Sequence, residues 1–194
     1  MTRNKQSTRR FGAARPTTRL VKVSSIISCP LPPDALLQDY LRGDAYTDCY
    51  ATDIPQCVSQ TQYVEAFYTT AIFRIERLLL KWLASKPSTD AQVRQLAAAA
   101  VDAFAAWQVE SRSANQLLLR DYTGRTRSWL MVMPNDDAAA STRLYFGSAV
   151  VPVRRTPADP AELGIGFRAL LGFHKLYSRV LLAAARRRLC KFVR

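Results

Sequence analysis

Between residues 104 and 153, apolar and polar side chains alternate in four consecutive runs joined by short connections. A period of two sends successive side chains to opposite faces of an extended strand. AFAAWQVES sets Ala105, Trp107 and Val109 against Phe104, Gln108 and Glu110, and NQLLLRDY follows it. The turn TGR leads into TRSWLMVMP, where Trp129, Met131 and Met133 oppose Leu130 and Val132, and TRLYFGSAVVPV closes the set. Consecutive strands with short links pair most simply as an antiparallel meander. Such a sheet must cover its apolar surface, and that requirement constrains what the rest of the chain can do. Gly147, inside the last run, reads as a bulge or a bend.

Two stretches have the period to supply the cover. In TQYVEAFYTTAIFRIERLLLKWL, Val64, Phe67, Tyr68, Ala71, Ile75, Leu78, Leu79 and Trp82 share one face, with Arg74, Arg77 and Lys81 opposite, which predicts a helix over 61–84. Thr89 and Gln92 have capping-box spacing ahead of a short helix, AQVRQLAAAA. A closing helix from about Phe167 gathers Phe173, Leu176, Tyr177, Val180, Leu181 and Ala184 on its apolar side, against a polar stripe of Arg168, Lys175, Arg179 and Arg186. Upstream, LVKVSSII (20–27) reads as a first strand and CPLPPD as a turn. ALLQDYL reads as a short helix capped by Asp34 and ending near Gly43, and DAYTDCYATDIPQC as an irregular surface loop. The chain then offers about five strands. The predicted fold class is α+β: a curved antiparallel sheet with a long C-terminal helix packed across it, in one domain over 20–194 after a basic tail over 1–19.

The net charge of +13 is concentrated at the ends. Residues 1–33 hold seven Lys or Arg and residues 163–194 hold eight, with no acid in either stretch, so the middle carries about −2. A folded surface built to bind nucleic acid would be basic in the body as well. What remains open is a weak attraction of the basic termini to an anionic membrane or to nucleic acid. LAAARRRLCKFVR fits either a membrane-surface helix end or cations placed to complement a helix dipole. MTRNKQSTRRFGAARPTTRL touches the composition of transit peptides and the twin-arginine pattern, but Lys22 interrupts the apolar stretch that follows, and a solvated tail is the simpler reading.

Cys29, Cys49, Cys57 and Cys190 form no CxxC pair and have no nearby histidine among the first three, so no metal site is read here. Four thiols fit a reducing, cytoplasmic setting, with a Cys49–Cys57 bridge as the disulfide left open by the spacing. GIG at 164–166 lacks the spacing of a phosphate-binding loop, no GxSxG is present, and no cofactor is called for.

The order of strand, helices, meander and long amphipathic helix, with the stretches GRTRSWLMVMP, TRLYFGSAVVP and GFHKLYSRVLLAAARRRL, resembles a bacterial family of uncharacterised domains in the START-like (helix-grip, polyketide-cyclase-like) superfamily. The likeness spans roughly residues 60–190. It implies a cavity between helix and sheet that takes a small hydrophobic or amphipathic molecule. It carries over no catalytic residue.

Candidates for lining such a cavity are Trp107, Glu110, Arg120, Trp129, Tyr145, His174 and Tyr177. The aromatics would supply apolar wall or plain core, and Glu110 with Arg120 either a polar anchor or a solvated cross-strand pair. His174 is the single histidine, and Ser178 follows it at i+4. Its position predicts the packed side of the closing helix, beside the cavity. Three functional readings follow: non-covalent binding of a small hydrophobic molecule; a cyclase- or dehydratase-like enzyme using His174 or Tyr177 as proton donor in the same cavity; and a structural protein whose basic termini dock to a membrane or nucleic acid.

Overall fold

A computed structural model describes residues 25–74, 88–135, 140–152 and 165–191, with side chains in the last stretch from Lys175 onward. The tail over 1–19, most of the strand expected over 20–27 and the second half of the helix expected over 61–84 lie outside the described residues. The elements are β1 (Ile27–Ser28), α1 (Gln38–Arg42), β2 (Tyr46–Ile54), α2 (Gln60–Tyr68), α3 (Asp90–Ala97), β3 (Ala103–Phe104), β4 (Trp107–Arg112), β5 (Gln116–Asp121), β6 (Thr126–Pro134), β7 (Thr142–Val150) and α4 (Ile165–Lys191). The strands make one open antiparallel sheet in the order β1-β2-β7-β6-β5-β4-β3.

The α+β class and the meander are as expected; the strand count is not. DAYTDCYATDIPQC is no surface loop. It contains β2, which pairs with β7 along nine residues, from Tyr46↔Val150 to Ile54↔Thr142. Its acidic residues are accommodated by partners across the ladder. Asp53 accepts two hydrogen bonds from Arg143, Nε at 2.7 Å and Nη2 at 3.0 Å, and Asp48 accepts from the Ser148 hydroxyl at 2.5 Å. The run over 104–110 is split by a two-residue turn in which Ala105 takes a left-handed conformation, φ +52°. The sheet's irregularity falls in β4, between Val109 and Ser111, and not at Gly147, whose strand pairs without interruption on both sides.

Both faces of the sheet are covered. On the first, Tyr50, Ile54, Leu117, Leu119, Leu130, Leu144 and Phe146 pack against α2, α3 and α4. Rings of Phe67, Tyr68, Phe73 and Phe146 meet there at centroid distances of 4.8–5.1 Å. On the second face, Cys49, Leu118, Trp129, Met131 and Ala149 lie under the segment carrying Ala35 and Leu37. Gln116 fastens that segment down. Its Oε1 accepts from Leu36 N and from Trp129 Nε1, both at 2.9 Å, and its Nε2 donates to the Asp34 carbonyl at 3.0 Å. Each polar atom of the buried indole and amide is thereby satisfied.

Helix starts follow local chemistry. Ser59–Gln62 and Thr89–Gln92 both form reciprocal capping boxes, opening α2 and α3. Asp34 caps nothing: α1 begins at Gln38, with Leu37 before it. The long helix expected from residue 61 is interrupted at Thr69–Thr70. The Thr69 hydroxyl donates back to Glu65 O at 2.6 Å, and the Thr70 hydroxyl accepts from Phe73 N at 3.2 Å, so one threonine closes a helix and the next caps the helical turn at 71–74. In α4 the buried side chains are Ser178, Leu181, Leu182, Ala185 and Leu189, while Leu176 and Val180 are exposed. From Lys175 onward the packed face is turned by about a quarter of a revolution from the expected one.

Candidate functional site

The sheet's first face and α4 do not meet along their whole length. Near the turn between β5 and β6 they part around a chamber of about 270 Å³. Its apolar wall comes from Phe67 of α2, Phe73, Trp107 of β4, Phe146 of β7 and Leu181 of α4. Parity places these strand residues: Trp107 pairs with Asp121 at the end of β4–β5, and Ser128 pairs with Ser148 across β6–β7, all on the helix side. Tyr177 and Ser178 descend from α4, and Tyr122, 59 % exposed, stands on the rim.

Most polar groups on the wall are already engaged. Ser128 Oγ and Tyr68 Oη share a hydrogen bond of 3.0 Å, and Ser148 is held by Asp48. Asp121 braces the turn beside it, accepting from Arg125 N at 2.8 Å, Thr126 N at 3.0 Å and Thr123 Oγ1 at 2.5 Å. Two atoms are different. Trp107 Nε1 and Ser178 Oγ are buried and have no hydrogen-bond partner within the protein. A buried donor left in this state costs about 1–3 kcal/mol.

Of the residues singled out from sequence, Trp107 and Tyr177 line this chamber. Trp129 and Tyr145 lie together on the second face, ring centroids 6.2 Å apart, beneath the 25–45 segment. Burial raises the Tyr145 pKa above its ordinary value. Glu110 is also on that side. It occupies the β4 irregularity, accepts a hydrogen bond from Tyr40 Oη, and is paired with Arg127 Nε at 3.0 Å, while the Arg127 guanidinium stacks 4.7 Å above the Tyr40 ring. Burial, and then the bond to Glu110, raise the Tyr40 pKa. This cluster pins α1 to the sheet. Arg120 is opposite Gln108, to which it donates at 2.9 Å, so the expected Glu110–Arg120 pairing is replaced by Glu110–Arg127 and Gln108–Arg120. The register is the reason: with Trp107 opposite Asp121 and Gln108 opposite Arg120, Glu110 lies two residues further along β4, and there the irregularity leaves it without a ladder partner. The side chain of His174 lies outside the described residues.

Sequence reasoning missed Phe67, Phe73, Phe146 and Leu181 as chamber wall: Phe67 and Leu181 were read only as parts of apolar helix faces, and Phe73 and Phe146 were assigned to no face. It weighed Ser178 only as a neighbour of His174. A serine on the buried arc of an otherwise Leu/Ala helix was the available signal.

A second recess, a groove of about 570 Å³, lies at the β1–β2 edge between the 25–45 segment and α4. Cys29, Asp48, Cys49, Lys175 and Arg179 line it. Lys175 Nζ sits 6.0 Å from the Tyr46 ring centre and the Arg179 guanidinium 5.3 Å from that of Tyr50. Desolvation lifts the Tyr46 pKa to about 12. Among the described residues no group of His, Cys, Asp and Glu could hold a metal ion, and no helix is long and apolar enough to cross a membrane. No known family, curated protein or solved structure matches the chain.

Proposed function

We propose that the chamber under α4 binds one small, mostly apolar molecule that carries a hydrogen-bond acceptor. The observation behind this reading is the pair of buried atoms without a partner in the protein, Trp107 Nε1 and Ser178 Oγ, in a wall where Ser128, Ser148 and Asp121 are already engaged and Phe67, Phe73, Phe146 and Leu181 are apolar. Indole N–H can only donate, and a hydroxyl can donate or accept. A carbonyl, ether or carboxylate oxygen of the guest supplies the acceptor that these groups lack within the protein. Ring faces of Phe67, Phe146 and Trp107 receive the remainder of the guest. The volume favours a molecule of one or two rings, at the small end of ligand sites. The order of β2, helices, meander and closing helix supports a helix-grip, START-like reading of the fold, in which such a cavity is the binding site.

The reading is of binding without a chemical step. Asp121 is the single carboxylate among the described lining residues, and its oxygens are committed to the 121–126 turn.

Native mass spectrometry of the full-length protein, then denaturing mass spectrometry of what is released, tests the proposal. A stoichiometric adduct of low mass is expected, either as purified or after incubation with mixed aromatic and lipid-derived carbonyl compounds. Ser178→Ala is the diagnostic variant, because its two effects have opposite signs. It removes an unpaired buried hydroxyl and improves helix propensity, so the empty protein becomes more stable by about 0.5–1 kcal/mol. It also removes a ligand contact, so the adduct weakens by about tenfold. A clean apo mass throughout, or an adduct indifferent to Ser178→Ala and Trp107→Phe, would overturn the reading.

A further inference from the structure

The groove at the β1–β2 edge contains two thiols in contact. Cys29 Sγ and Cys49 Sγ are 3.6 Å apart, and Cys29 N donates to the Cys49 carbonyl at 3.1 Å. With Ile27 opposite Ala51 and Ser28 opposite Tyr50, the ladder places Cys29 directly across from Cys49. Directly opposed residues of an antiparallel pair have Cα atoms about 4.5–5.5 Å apart, within the span a disulfide bridges. The Cys49–Cys57 bridge left open by the spacing is not the pair the fold assembles: Cys57 is exposed, Cys49 is buried, and the neighbour of Cys49 is Cys29.

We propose that Cys29 and Cys49 are a dithiol that closes reversibly to a disulfide, with an anionic low-molecular-weight disulfide as the oxidant.

Three features argue for it beyond proximity. The two thiols differ in access, since Cys29 is half-buried on the groove wall and Cys49 is 3 % exposed behind it. They differ in acidity in the same sense: the contact between the two thiols, helped by the nearby Arg143, lowers the Cys29 pKa, while that contact and burial raise the Cys49 pKa. The thiolate, the attacking species, is thus favoured on the residue that an oxidant reaches first. Finally, Lys175 and Arg179 are exposed on the wall of the same groove and attract an anionic reagent.

The exchange is balanced. The Cys29 thiolate attacks one sulfur of the small disulfide, and the other half leaves as a thiolate that takes a proton from water. Cys49 then loses its proton to solvent and attacks Cys29 Sγ, expelling the second half as a thiol. One protein dithiol and one small disulfide become one protein disulfide and two small thiols. The new bond ties the segment covering the sheet's second face to β2.

The test uses full-length protein, reduced, desalted and exposed to oxidised glutathione, then quenched by alkylation. Two of the four thiols are expected to escape alkylation, and a non-reduced digest should give a peptide linking Cys29 to Cys49 that dithiothreitol separates. Cys49→Ser should halt at a glutathione adduct on Cys29, whereas Cys57→Ser and Cys190→Ser should link as the parent does. Four alkylated thiols after oxidation of the folded parent protein, a lasting glutathione adduct on its Cys29, or linkage of any other pair would each overturn the proposal. The parent result needs no variant to fold.

Discussion

At position 147 a hydrogen is the largest group that fits without displacement. A β-carbon there would come within 2.9 Å of both the Asp48 carbonyl and Trp129 Cε3, and within 3.0 Å of Leu37 Cδ2. The glycine is the floor on which the Trp129 indole lies. Gly147→Ala is therefore expected to cost about 2–3 kcal/mol, because backbone on one side and a fully buried indole on the other leave nothing to yield. Urea unfolding measures it, and an unchanged midpoint would show that Trp129 can move. In the sequence this glycine looked like a bulge, while the true irregularity beside Glu110 has no glycine to mark it. The candidate site was half legible for a related reason. Alternation separates Trp107 from Gln108 and Trp129 from Leu130, but in WLMVM both sets are apolar. The pattern therefore could not say which set faces α4 and which faces the 25–45 segment, and Trp129 and Tyr145 were assigned to a cavity on the wrong side of their own sheet.

Among the elements, β5–β7 and the Thr89–Gln92 capping box were read directly, since period and capping chemistry are local properties, while the Ser59–Gln62 box, of the same spacing, was overlooked. β2 could not. Its polar residues, Asp48 and Asp53, look like loop residues until Ser148 and Arg143 are brought opposite them, and those partners are some 90–100 positions away in the chain. The face of α4 was misjudged because Leu176 and Val180, which read as core, are exposed, while Ser178 is fully buried. The 25–45 segment works as a lid over the second face, and Gln116 is its fastening. Gln116→Ala would strand Leu36 N, the Asp34 carbonyl and Trp129 Nε1 together. The expected loss is about 3 kcal/mol, the tryptophan emission of the folded state should shift to the red, and proteolysis should begin within the 25–45 segment. Cleavage that starts elsewhere, with emission unchanged, would deny Gln116 that part.

For the molecule as a whole, five tyrosines, Tyr40, Tyr46, Tyr50, Tyr63 and Tyr145, have raised pKa values, each with burial as the leading cause. A phenol that resists ionisation in the fold but ionises at about 10 when unfolded leaves the unfolded chain holding fewer protons in that interval. Stability is thus fully present below pH 10 and falls as pH rises from there towards 12, the value for Tyr46. Denaturant midpoints across that interval should drop steadily, and Tyr46→Phe should flatten part of the slope; a level profile would contradict the burial argument. The strand order has a different consequence, in time. β2 leaves the ribosome long before β7, the strand it must pair with along nine residues, whereas β4 to β7 can zip up as successive hairpins. A nascent chain therefore carries β2, bearing Tyr46, Cys49, Tyr50 and Ile54, with the edge meant for β7 open from residue 54 onward, and the sheet can be completed only after translation has passed residue 150.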